Sequence, residues 1–210
     1  MFIKICGTTS AEDALLAVSL GADALGFIFA ESKRQVDAAT VAAIVPQLPT
    51  ETMAVGVFRN ETADRILDVV NATGITGVQL HGHEGPEVAR ALRDTVPFLV
   101  QVFTVDDPRL NDLEDYPIDA VLLDSPTPGS GQSFDWSQIA DLPSRRRVIL
   151  AGGLNPANVA DAVKSVRPWG VDAVSGVEAE PGRKDPEALA AFLTAARDAL
   201  SEFSTDPGPA

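Results

Sequence analysis

The sequence predicts a single (β/α)8 barrel, and three observations carry the prediction. Short apolar runs alternate with longer polar or amphipathic stretches along almost the whole chain, the runs number eight, and their spacing is even. That count in about 200 residues suits a small closed barrel. A doubly wound open sheet shares the local pattern, since periodicity alone does not report closure. Even spacing favours closure. Residues 1–203 are assigned to the barrel, and 204–210, polar and proline-rich, to a flexible tail.

The first strand is "FIKIC" (2–6). It leads into "SAEDALLAVSLG", a helix with Ser10 as N-cap, acids in its first turn and Gly21 as its stop. The second strand, "ALGFIF" (24–29), runs into the loop "ESKRQVD" (31–37). "MAVGVF" (53–58) is the third, followed by the helical "NETADRILDVVNATG" with Asn60 as cap and Gly74 past its end. "TGVQL" (76–80) and "FLVQVF" (98–103) are the fourth and fifth; the pattern over 104–117 is too broken for a good helix.

"DAVLLD" (119–124) is the sixth strand, and a helix is expected to start at Asp135. "RVILA" (147–151) is the seventh; its helix "NPANVADAVKSV" has Asn155 as cap and Pro156 at the first helical position. "GVDAVS" (170–175) is the eighth, and "DPEALAAFLTAARDAL", with Asp185 and Pro186 at its start, is the last helix. Several strands are apolar at consecutive positions, as parallel strands buried on both faces are.

Composition narrows the function classes. The 210 residues are 45% hydrophobic and 22% charged, which suits one soluble domain with a full core. A net charge of −14 argues against nucleic-acid binding but leaves room for a small anion held by backbone N–H groups and one or two arginines. The run Arg145-Arg146-Arg147 reads as solvated edge charge. A lone cysteine excludes an internal disulfide framework and a cysteine-only metal cluster, and suits a reducing compartment. Lys4 interrupts the N-terminal apolar run, so a signal peptide is not expected, and no apolar run reaches bilayer-spanning length. The expectation is a cytoplasmic protein without a membrane or nucleic-acid partner.

In a barrel of this kind, chemistry sits where strands end and loops begin. Cys6 ends the first strand; it is either a small buried hydrophobe or a thiol pointing into the mouth. A thiol of ordinary pKa, roughly 8.5, serves as a base near neutrality after a modest downward shift. Asp124 ends the sixth strand, and Asp135 takes the helix-capping role, which frees Asp124 for the site. The glycine turns "AGGLNP" (151–156) and "SGVE" (175–178), on neighbouring strands, can present N–H groups to one phosphate. Arg34 is a fork for a carboxylate or, as the residues alone favour, a solvated loop charge. His81 and His83 share one loop without a third ligand, so a structural or substrate-contact role is preferred to a metal. There is no "GxSxG" elbow for a serine triad.

The ordered blocks "KICG", "GADALGFIF" with "SKR", "VGVF", "VQLHG", "LLD…GSGQSFDW", "LAGGLNPANV" and "SGVE…PGRKD" resemble the phosphoribosylanthranilate isomerase family of tryptophan biosynthesis. The resemblance implies a cofactor-free, metal-free Amadori rearrangement of a small phosphorylated substrate by a monomer or homodimer. It implies Cys6 as general base at ribose C2 and Asp124 as general acid at the ring oxygen. Arg34 would hold the anthranilate carboxylate, Gly152, Gly153, Ser175 and Gly176 the phosphate, and Gln79 and His81 would touch the ligand. The loop 125–133, with Gly129 and Gly131, is a lid candidate.

The chain departs from the family pattern at Val174, where a serine is frequent, and at Glu31 and Thr8. Weaker phosphate binding is the expected consequence. The rival readings are a related histidine-pathway or dual-substrate sugar-phosphate isomerase, and a non-catalytic barrel that binds a phosphorylated metabolite. The first resembles this chain in its barrel but has aspartate where Cys6 stands. The second needs neither an acid nor a base.

Overall fold

The computed structural model describes residues 1–125 and 146–204. Eight parallel strands follow one another around a closed barrel. They are β1 (Phe2–Cys6), β2 (Ala24–Ile28), β3 (Met53–Phe58), β4 (Gly77–Leu80), β5 (Phe98–Thr104), β6 (Ala120–Asp124), β7 (Arg147–Leu150) and β8 (Gly170–Ala173). β8 pairs back onto β1, with Gly170 opposite Phe2 and Asp172 opposite Lys4, so the open-sheet alternative is ruled out. The described helices are α1 (Ala11–Ser19), α2 (Ala38–Ile44), α3 (Ala63–Thr73), α4 (Pro86–Leu92), α5 (Val159–Val166) and α6 (Pro186–Ser204). Between β8 and α6 lie a 3-10 turn (Ser175–Val177) and a hairpin of β9 (Glu178–Glu180) and β10 (Arg183–Lys184).

Strand side chains alternate between the barrel interior and the helix layer. Ile3, Ile5, Leu25, Phe27, Leu99, Leu123 and Val171 pack outward in one large cluster with Val41, Ile66, Leu92, Val163 and Phe192 from the helices. Each such buried side chain contributes roughly 1.5–3 kcal/mol. The opposite parity fills the interior. Val100, Leu122 and Ile149 belong to an apolar floor, sealed by Phe2, Phe98 and Trp169, with Phe2 stacked on Trp169 at 4.7 Å. Two residues further along their strands, the same parity gives Lys4 and then Cys6 on β1, and Asp124 on β6.

The helix ends follow the sequence signals in part. Ser10 accepts from the Asp13 N–H at 3.2 Å, Asp185 accepts from Glu187 and Ala188 at 2.9 Å, and Gly74 stops α3 at φ 73°. Two expected caps move. Thr62, not Asn60, caps α3; Asn60 sits at φ 55° and accepts from the His83 N–H at 2.8 Å. α5 begins at Val159 rather than Pro156, because Asn155 spends its side chain on a local turn, accepting from the Ala157 N–H at 2.9 Å.

The broken segment after β5 is a 3-10 helix (Pro108–Asp115) kinked at Asp112. Arg146 and Arg147 are not simply solvated: one donates to the Ile118 carbonyl at 2.8 Å, the other stacks 4.9 Å over Trp169. Asp135, Gly129, Gly131, nearly all of the lid candidate and 205–210 of the tail lie outside the described residues.

Candidate active site

A cavity of about 270 Å³ opens at the C-terminal ends of the strands, as the barrel architecture predicts. Cys6, Arg34, Gln79, His81, Asp124, Gly152, Gly153 and Ser175 all line it. Gly176 is not among its lining residues, and a Cβ there would overlap the Leu154 carbonyl oxygen. It serves the turn by its lack of a side chain.

Cys6 is 3% exposed, and its Sγ fills the space that a side chain at Gly26 on β2 would need. Burial pushes the thiol above its ordinary pKa, which corrects the expected downward shift. Lys4 opposes that push most strongly and Lys184 adds to the opposition, whereas Asp172 reinforces it. The thiolate is therefore the high-energy form, which the two cations favour. Lys4 itself is fully buried, and its Nζ donates to Asp172 Oδ1 at 3.0 Å. Although burial works against its charge, Asp172 and Cys6 hold its pKa above the usual value.

Asp124 is the complementary group. Burial raises its carboxyl to about 6, with a further push from Asp172; the Ser125 N–H, at 2.7 Å from Oδ1, and Lys4 oppose this. An acid with that value is partly protonated near neutral pH, as general-acid work requires. Its Oδ2 lies 3.6 Å from His81 Nε2. Burial and the charges of Lys4 and Arg59 lower His81 to about 4, so the ring is neutral and the contact is not an ion pair at neutral pH. Gln79 Nε2 lies 3.0 Å from His81 Nδ1. Because that amide nitrogen only donates, Nδ1 accepts, and the ring proton sits on Nε2 facing Asp124. Gln79 Oε1 is buried and accepts no hydrogen bond from the described residues.

Arg34 is not the solvated charge that its loop position suggested. Its Nε lies 2.8 and 2.9 Å from the two carboxylate oxygens of Glu178, and Nη2 lies 2.7 Å from Oε2. Lys184 Nζ donates to Glu178 Oε1 at 3.1 Å and to the Cys6 carbonyl at 2.6 Å. Burial works against the charge on Glu178, but Arg34 and Lys184 outweigh it and hold the carboxyl below its usual value.

Gly152 and Gly153 have φ of 83° and 69°, a region open to glycine at little cost. Asn158 Nδ2 donates to the Gly153 carbonyl at 3.0 Å and pins this turn. Together with Ser175 from the following strand's end, it forms the small, backbone-rich side of the cavity.

Sequence reasoning missed Lys4, Asp172, Glu178 and Lys184 as members of the site. Lys4 and Asp172 had a readable signal: each is a charge within an otherwise apolar parallel strand, and Lys4 shares the parity of Cys6. Glu178 and Lys184 had only their place within the "SGVE…PGRKD" block.

Comparison with known proteins identifies the family. The family model described as N-(5'-phosphoribosyl)anthranilate (PRA) isomerase matches residues 3–195. The N-(5'-phosphoribosyl)anthranilate isomerase of Desulforudis audaxviator is 42% identical, over 94% of this chain and 98% of that protein. Phosphoribosyl anthranilate isomerase from Thermus thermophilus superposes with a TM-score of 0.88 at 38% identity, covering 94% of this chain and 99% of the other. An isomerase of this name in complex with reduced 1-(o-carboxyphenylamino)-1-deoxyribulose 5-phosphate is 40% identical with a TM-score of 0.84, at the same coverage. The chain belongs to the N-(5'-phosphoribosyl)anthranilate isomerase family.

Proposed function

We propose that this protein catalyses the Amadori rearrangement of N-(5-phosphoribosyl)anthranilate to 1-(2-carboxyphenylamino)-1-deoxyribulose 5-phosphate in tryptophan biosynthesis. One observation carries the mechanism. A carboxyl raised to about 6 ends β6, and the only cysteine ends β1, three strands away around the closed barrel, both lining one cavity. This pairs an acid with a base across a bound sugar.

Asp124 protonates the ribose ring oxygen, and the C1–O bond breaks to leave a protonated Schiff base at C1. That cation withdraws electrons from C2 and acidifies its proton. Cys6, as thiolate, removes the proton, giving an enolamine that tautomerises to the ketone. The sequence consists of proton transfers and calls for no redox or metal cofactor. The neutral Nε2–H of His81 stabilises the Asp124 carboxylate once it has given up its proton. Gly152, Gly153 and Ser175 form the phosphate end, where backbone donors suit a dianion, and Gly176 shapes the turn that carries Ser175. Arg34 takes the anthranilate carboxylate, and the unpartnered Gln79 Oε1 suits a ribose hydroxyl.

No described helix is long and apolar enough to cross a membrane. The reading places the enzyme in the cytoplasm as a monomer or homodimer, with the barrel as one catalytic domain. The decisive assay generates phosphoribosylanthranilate in place from anthranilate and phosphoribosyl pyrophosphate, then follows loss of its fluorescence on adding this protein. Rapid loss with the wild type and none with Cys6→Ser or Asp124→Asn is the expected result. Failure of the folded wild type to act would overturn the reading.

A further inference from the structure

Glu178 and Lys184 stand beside the cavity with no part in the proton transfers. Their contacts are specific. The hydrogen bonds from Arg34 to Glu178 use Nε and Nη2, so the side edge of the guanidinium is engaged, whereas among the described residues nothing bonds Nη1. The Arg34 stem is fixed as well: a Cβ on Gly7 would lie 2.6 Å from Arg34 Cδ and 3.2 Å from Val174 Cγ1. Glu178 and Lys184 side chains are 3% and 0% exposed, against 14% for Arg34, so the fork's anchor is drier than the fork.

From this arrangement we infer that Glu178 and Lys184 are positioning residues that preset Arg34 as a carboxylate fork and confer selectivity for a substrate whose aromatic ring bears a carboxylate. The inference rests on the function proposed above and extends it to residues outside the acid–base pair. Geometry supplies the first half of the argument. A guanidinium has five N–H donors in a rigid plane, and clamping one edge leaves a second edge with two parallel donors at fixed orientation. Immobilising it beforehand removes the rotamer cost from the binding step.

Charge supplies the second half. Arg34 paired with Glu178 alone would be neutral, and an incoming carboxylate would meet the repulsion of Glu178. Lys184, 3.1 Å from Glu178, returns the cluster to a net charge of +1. The same ammonium donates to the Cys6 carbonyl, which ties the fork to the strand end that carries the base. The hairpin of β9 and β10 brings the two residues together, since Glu178 pairs with Lys184 across it.

The test uses two ligands and the full chain. One is reduced 1-(o-carboxyphenylamino)-1-deoxyribulose 5-phosphate; the other is the same molecule without the carboxyl group. Titration calorimetry gives the affinity ratio of the pair for wild type, Glu178→Gln and Lys184→Gln. The wild type should prefer the carboxylated ligand by about tenfold or more. Lys184→Gln should lose most of that preference, because Glu178 then repels the carboxylate unopposed. Glu178→Gln should lose part of it, because the loosened guanidinium costs more than the removed repulsion returns. Both should bind the decarboxylated ligand nearly as the wild type does. Equal loss for both ligands, or an unchanged ratio, would overturn the inference.

A measurement on the unmodified protein does not depend on the variants folding. The Arg34 Nε–H resonance should stay protected from exchange when the carboxylated ligand binds, because Glu178 keeps its edge. Loss of that protection would make Glu178 a competitor for the fork and end the proposal. Turnover by the wild type without carboxylate preference would refute this inference and leave the proposed reaction standing. Absence of both binding and turnover would refute the reaction itself.

Discussion

Lys4 and Asp172 form an ion pair at 3.0 Å inside the barrel, on paired positions of β1 and β8, one interior layer below Cys6. Removing two charges from water costs several kcal/mol per ion, and a buried pair is seldom retained for stability alone. Lying under the base, the pair acts on it electrostatically, because the ammonium favours the thiolate and Asp172 favours the ammonium. Replacing Lys4 with methionine should push the thiol's pKa up further. Alkylation of the single cysteine by iodoacetamide at fixed pH should slow about tenfold for each pKa unit gained. Lys4→Met also leaves Asp172 unpaired, so stability should fall by roughly 3–5 kcal/mol. Adding Asp172→Asn should restore stability, while alkylation stays slower than in the wild type though faster than in the single variant, and the two readouts separate the electrostatic role from the structural one.

Cys6→Ser removes the proposed base without changing volume much. A serine hydroxyl ionises far above the working range, so turnover should fall by about 100-fold or more. The melting temperature and affinity for the reduced product analogue should stay close to the wild type. Turnover within a few-fold of normal would show that another group removes the C2 proton.

Asp124, the proposed general acid, should link activity to stability. Its folded-state pKa of about 6 lies above the ordinary carboxylate value of 3.8, so the folded protein binds the proton more tightly than the unfolded chain. Stability from this group is therefore greatest at low pH, declines as pH rises through the window from 3.8 to about 6, and is at its minimum above it. Asp124→Asn removes that penalty and can still accept the Ser125 N–H. The variant should be inactive yet more stable by up to about 3 kcal/mol at pH 8, with no gain at pH 3. Thermal melts across pH measure this directly. A loss of stability at pH 8 would show that the carboxylate is better solvated than its burial implies.

Gly26 is glycine because Cys6 Sγ occupies the place of its side chain. Gly26→Ala forces the thiol aside at the cost of overpacking, about 1–3 kcal/mol. Denaturant unfolding should register that loss, and turnover should fall because the base is displaced. Full activity in the variant would mean that the position of Cys6 is not closely specified.

Much of this protein was legible along the chain. Buried parallel strands announce themselves as unbroken apolar runs, and glycine, proline and capping residues punctuate them; all eight strands lie within two residues of their expected ends. Cys6, Asp124 and the glycine turns stood out because they interrupt those runs where a barrel presents its loops. The missed caps at Thr62 and Asn158 reflect competition among neighbouring polar side chains, which local pattern cannot rank.

The electrostatics belonged to closure. Lys4 and Asp172 are 168 residues apart, and Arg34 and Glu178 are 144 apart. Only the pairing of β8 with β1 and the hairpin after β8 bring them together, and no local signature records those contacts. Burial decides the protonation states in the same way: a carboxyl near 6, a neutral histidine and a reluctant thiol follow from neighbours on several strands withdrawing each group from water. Sequence alone determined which residues end the strands; the tertiary structure decided which charges surround them, because the field at each group is summed over neighbours distant in the chain.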